Sequence, residues 1–124
     1  MIKTKQELIN ASFPLMMKQG CGAYSTEQER KENSSTPSCM YKTPKGNKCA
    51  IGILIADEDY SPKLEGQLSP AVLKAAKVDI NLMDFALRYQ ECHDSVNPQS
   101  EMFKVDFKAN VAELCKNHGL ELPS

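Results

Sequence analysis

Signals for the start of a helix recur along this chain, and each stands before apolar side chains at helical spacing. Thr4, with Glu7 three residues later, has the form of a capping box, in which each side chain satisfies the other's backbone N–H. Ser69–Pro70 and Asn97–Pro98 each join a capping residue to a proline, which is favoured at the first helical position. These signals predict a mainly α-helical fold.

Apolar periodicity predicts helices over residues 5–18, 71–77, 80–93 and 99–117. Pro14 lacks an N–H and is expected to kink or split the first helix. Asp79 predicts a cap on the third helix, while Gly20 and Gly119 predict left-handed helix endings. The expected core-facing residues are Leu8, Ile9, Ser12, Leu15 and Met16 in the first helix, Ile80, Met83, Leu87 and Gln90 in the third, and Phe103, Phe107, Val111 and Leu114 in the last.

The middle of the chain carries turn chemistry. Pro44 and Gly46 lie between two short segments, 39–42 and 48–50, and this arrangement predicts a small β-hairpin at about residues 39–50. The apolar run that follows, 49–55, is compatible with a buried strand or a short buried helix, and we favour the helix because the run directly follows a turn. The expected architecture is four to five helices around one core, with this hairpin attached.

The length of 124 residues predicts a single domain spanning residues 1–124. Residues 26–38 contain no apolar side chain, so they cannot bury enough surface to offset the entropy of ordering them. We therefore expect an exposed, mobile loop at about residues 22–38 within that domain.

Charge and cysteine content restrict the environment and the partners. Fifteen basic and sixteen acidic residues give a net charge of −1, so no overall field draws the chain to nucleic acid or to an anionic membrane. The longest apolar stretch, about 49–56, is too short to span a bilayer. Five cysteines behind an N-terminus without the features of a secretory signal predict free thiols in a reducing cytoplasm.

One candidate catalytic site combines Cys49, His93 and Asp94. A cysteine at a helix N-terminus gains thiolate character, and a nearby histidine can act as its base. Asp94 directly follows His93, which is an awkward position from which to orient the imidazole ring. The competing interpretation is that Cys49 is a small buried residue and His93 a structural histidine, and we favour it because structural thiols are common.

The chain does not predict a metal site. The right ligand atoms for zinc are carried by Cys39, Cys49, Cys92 and His93. Cys39 and Cys49 are ten positions apart, however, whereas the paired cysteines of zinc motifs are separated by only about two to four residues, and Cys92 and His93 are direct neighbours. We expect unligated thiols and no cofactor.

A lysine-rich hairpin is the remaining candidate for ligand binding. Tyr41, Lys42, Lys45 and Lys48 offer ammonium groups for a phosphate and a ring on which a base can stack. The segment lacks the long glycine-bounded run of a phosphate loop, and an exposed turn rich in lysine is the alternative that we favour.

Two motifs of the chain resemble a pattern found in small proteins of bacteriophages and prophages. That pattern runs C-x-Y-R, a turn with glycine, C-A-V-G-x-L-I-P-D-x-x-Y and E-G, followed later by Q-x-x-H-D. The matching residues here are 39–42, 46–60 and 65–66, and then 90–94. Lys42 stands in place of the arginine, and Ala56 in place of the proline.

The resemblance implies a phage or mobile-element product that acts in the bacterial cytoplasm, and it implies no catalytic mechanism. By analogy, small accessory proteins of this kind bind a host factor or sequester a small molecule. The leading hypothesis is therefore a non-enzymatic accessory protein that binds a host protein or small ligand, for example in counter-defence. A small Cys/His-dependent hydrolase and a nucleotide-sequestering protein remain as alternatives.

Overall fold

The computed structural model of this chain describes residues 1–20, 48–64, 68–96 and 102–123. These residues form four α-helices: α1 (Lys5–Gln19), α2 (Pro70–Ala76), α3 (Met83–Asp94) and α4 (Phe103–His118). Short 3-10 turns lie between them at Gly52–Leu54, Asp57–Asp59, Pro62–Leu64 and Ile80–Leu82. The prediction of a mainly helical protein with a packed core is confirmed.

The described residues contain no strand, and an isolated parallel bridge joins Ile2 and Val78. Most of the hairpin predicted at residues 39–50 lies outside the described residues, as does the whole loop predicted at 22–38. Within the described part of the chain, no helix has both the length and the apolar character that crossing a membrane requires.

Side-chain caps begin α1 and α2 as predicted, whereas α4 begins at Phe103, four residues after the start predicted from Asn97–Pro98, and its preceding residue Met102 makes no capping side-chain bond. The Thr4 hydroxyl accepts a hydrogen bond from the N–H of Glu7 at 3.1 Å, and the Ser69 hydroxyl accepts one from Val72 at 3.4 Å. Asp79 accepts from the N–H of Asn81 at 2.8 Å, although the element that it caps is the 3-10 turn Ile80–Leu82, and the α-helix begins only at Met83. Each bond satisfies a backbone donor that has no partner inside the helix.

Helix α1 runs through Pro14, so of the two predicted effects, a kink or a split, the split does not occur. Buried residues on both sides of Pro14, among them Ile9 and Met16, hold the two halves against the same core. The predicted core position of Leu15 was wrong, because its side chain is 45% exposed and Phe13 is buried instead.

The predicted core face of α3 was largely wrong. Ile80 and Leu87 are 52% and 40% exposed, Met83 is half-buried, and only Gln90 is buried as expected. The residues that α3 buries are Phe85, Ala86, Tyr89, Gln90, Cys92 and His93. Two apolar stripes overlap on this helix, and the stripe with the aromatic rings faces the core because those rings bury the larger area.

Helix α4 presents the predicted face, since Phe103, Phe107, Val111 and Leu114 are all buried. The rings of Phe103 and Phe107 stack with centroids 5.5 Å apart, and Phe107 also meets Phe13 of α1 and Tyr89 of α3. The predicted left-handed ending is confirmed, because Gly119 has φ 67° and the N–H of Leu120 donates to the carbonyl of Cys115.

The buried segment 49–51 packs under α1 and α3 and leads into a helical turn. The N–H of Ile53 donates to the carbonyl of Cys49 at 2.9 Å, and the N–H of Ile55 donates to that of Gly52 at 3.0 Å. Within residues 49–55, where we favoured a short buried helix, the structure has the single 3-10 turn Gly52–Leu54, and the backbone of Ile55 after it is extended.

Candidate functional site

Cys49, His93 and Asp94 belong to two separate elements that pack together. Cys49 and His93 are buried, whereas the side chain of Asp94, at the end of α3, is 40% exposed. His93 Nδ1 lies 3.0 Å from Asp94 Oδ1, so a carboxylate adjacent in sequence does contact the imidazole. The expectation that Asp94 is badly placed to orient the ring was wrong.

Gln90 joins this pair to the segment that carries Cys49. Its Oε1 accepts a hydrogen bond from the N–H of Ile51 at 3.0 Å, and its Nε2 donates to Asp94 Oδ1 at 3.0 Å. The sequence identified Gln90 only as a core-facing residue and as the first residue of the Q-x-x-H-D motif. Its bridging role went unrecognised because nothing in the sequence places Ile51 against α3.

The environment of Cys49 opposes ionisation of its thiol. Its Sγ accepts a hydrogen bond from the N–H of Gly52 at 3.3 Å. Burial raises the pKa of this thiol to about 12, against the smaller lowering effect of hydrogen bonds from Gly52, Ile51 and Gln90, and the nearby Asp94 raises it further. Reactive cysteines have a lowered pKa and an electropositive, accessible site, so the geometry favours the structural interpretation.

A second buried polar chain holds the same segment from the side of α1. The Tyr89 hydroxyl donates to Ser12 Oγ at 2.7 Å, and the Ser12 hydroxyl donates to the carbonyl of Ala50. Burial raises the pKa of Tyr89, so this phenol stays protonated and remains a donor. Ser12 was expected on the core face, but its bond to Ala50 was not foreseen.

Three of the four residues of the metal hypothesis, Cys49, Cys92 and His93, lie in the described part of the chain. Cys39 lies outside the described residues. The Cys92 thiol donates to the carbonyl of Arg88 at 3.5 Å, and its pKa is raised to about 11, mainly by burial. Across the described ranges, no three His, Cys, Asp or Glu residues are grouped so that they could hold a metal ion.

Of the four residues proposed to bind a ligand in the hairpin, Tyr41, Lys42 and Lys45 lie outside the described residues. The Lys48 ammonium is 3.1 Å from Asp57, and its side chain is only 22% exposed. The backbone of Lys48 is held by Gln19, whose amide both accepts from its N–H and donates to its carbonyl. An anion at Lys48 would have to compete with the carboxylate of Asp57.

Comparison of this chain with models of protein families, with curated proteins and with solved structures found no match.

Proposed function

We propose that this chain is a non-enzymatic accessory protein of a phage or mobile element, which acts in the bacterial cytoplasm by binding a host protein or small ligand. Counter-defence is one role that such binding would serve. The resemblance of residues 39–42, 46–60, 65–66 and 90–94 to small phage proteins supports the proposed origin of the chain. The single observation that carries the non-enzymatic part is the buried, protonated thiol of Cys49.

A cysteine nucleophile acts as its thiolate and must be reached by a substrate. Cys49 is 1% exposed, and with a pKa of about 12 it is protonated throughout the neutral range. Both requirements of a nucleophile are therefore unmet in this conformation.

The polar side chains around Cys49 stabilise the fold by forming hydrogen bonds. Gln90 satisfies the buried N–H of Ile51, and Asp94 in turn binds both Gln90 and His93. A buried backbone group left without a partner costs roughly 1–3 kcal/mol, so this polar chain stabilises the position of residues 49–51.

A Cys/His-dependent hydrolase is the second candidate, and one observation favours it. Cys49, Gln90, His93 and Asp94 lie in one connected cluster, and Asp94 reaches the surface. A conformational change that opened this cluster would expose the Cys49 thiol, which interacts with Gln90, together with an imidazole that already contacts a carboxylate. The two candidates differ in the reactivity that they require of Cys49.

Alkylation of the native protein with iodoacetamide across pH, read by peptide mass spectrometry, separates the two. We expect Cys49 to stay unlabelled near neutral pH and to react once the chain is unfolded. A His93→Ala variant serves as the matched control, because it removes the candidate base and leaves the thiol. Rapid labelling of native Cys49 that slows in this variant would overturn the non-enzymatic proposal in favour of the hydrolase.

A further inference from the structure

We draw no further inference here: the strongest candidate, the exposed side-chain cluster between the start of α1 and the end of α4, where Lys5 Nζ lies 3.2 Å from His118 Nδ1 beside the ring of Phe85, carries none because the ammonium of Lys5 disfavours a positive charge on His118 while the C-terminus of α4 favours one, so the contact sets no direction for a response to pH.

Discussion

At the scale of single residues, side-chain amides and hydroxyls hold a buried segment that has almost no regular secondary structure. Gln19 binds both backbone groups of Lys48, Ser12 binds the carbonyl of Ala50, and Gln90 binds the N–H of Ile51. Backbone groups inside a protein must find partners, and here the helices supply them from their side chains. These polar residues therefore contribute to stability in a way that hydrophobic periodicity does not indicate.

Ser12→Ala is expected to destabilise the protein more than Tyr89→Phe. Removing the Ser12 hydroxyl leaves the carbonyl of Ala50 and the hydroxyl of Tyr89 without this partner, at a cost of roughly 1–3 kcal/mol. Tyr89→Phe keeps the ring packing and the bond from Ser12 to Ala50, so it should cost about 1 kcal/mol. Urea unfolding of both variants measures the difference, and an equal or larger loss in Tyr89→Phe would contradict the hydrogen-bond assignment.

Gln90→Glu is expected to make stability depend on pH in the acidic to neutral range. The new carboxyl would be buried beside Asp94, where the amide now donates, so the folded state would raise its pKa above the unfolded value. The variant should therefore approach wild-type stability at low pH and lose stability as pH rises through the folded pKa. Urea unfolding at a series of pH values checks this, and a constant difference from wild type would show that Gln90 and Asp94 do not interact.

At the scale of the element, sequence chemistry predicted the caps of α1 and α2 and the ending of α4, but not the α-helical starts of α3 and α4 or the face that α3 buries. Caps such as Ser69 and endings such as Gly119 depend on a few neighbouring residues, so they can be predicted locally. The face of α4 was also predictable because one aromatic stripe dominates it. Helix α3 carries two stripes, and the choice between Leu87 and Tyr89 depends on what the other helices bring to it.

The sequence identified the individual residues of the candidate site but not the contacts between them. Cys49, His93 and Asp94 attract attention because their side chains can perform chemistry, whatever the fold. Their relationship passes through Gln90 to Ile51, thirty-nine positions earlier in the chain, and is decided by tertiary packing. The burial that raises the pKa of Cys49 has the same origin, so the sequence left both the catalytic and the structural interpretation open.

Pro14→Ala is expected to stabilise α1. Pro14 is exposed inside a continuous helix, where proline cannot donate to the carbonyl of Asn10 and costs up to about 3 kcal/mol relative to alanine. The unfolded variant gains about 0.4–1 kcal/mol of chain entropy, which offsets part of this benefit. We expect a net gain of about 1–2 kcal/mol in the free energy of unfolding by urea titration. Unchanged or lower stability would mean that the proline conformation is favourable at this site.

At the scale of the whole molecule, the core combines stacked aromatic rings with weakly acidic groups. Phe13, Phe103 and Phe107 form a stack between α1 and α4, and Tyr89 packs against Phe107. The thiols of Cys49, Cys92 and Cys115 belong to the same hydrophobic cluster. Because burial raises the pKa of these thiols and of the Tyr89 phenol, they are uncharged at neutral pH, and their ionisation makes the core sensitive to alkali.

The free energy of unfolding should therefore fall steeply in alkali, and Cys49→Ala should reduce the slope. Burial raises the pKa of Cys49 to about 12 and of Cys92 to about 11, and it raises the pKa of Tyr89 as well. In the unfolded chain the thiols lose their protons near pH 8.5. Above that pH the unfolded chain therefore binds fewer protons than the folded chain, and the free energy of unfolding decreases as pH rises. The decrease stops once the thiols of the folded chain ionise as well.

When the pKa of a thiol is one pH unit higher in the folded chain than in the unfolded chain, ionisation of that thiol in alkali lowers the free energy of unfolding by about 1.4 kcal/mol. Urea unfolding of wild type and of Cys49→Ala near pH 7 and about pH 10 isolates the contribution of one thiol. At neutral pH the variant is expected to be the less stable protein, because alanine leaves the space of the sulfur unfilled. The difference in the free energy of unfolding between the two proteins should then narrow as pH rises. Only wild type has the Cys49 thiol, so only wild type loses the stability that is linked to the ionisation of this group. An equal loss of stability in both proteins would show that Cys49 ionises as easily in the folded chain as in the unfolded one, and would remove the physical basis for treating it as a structural thiol.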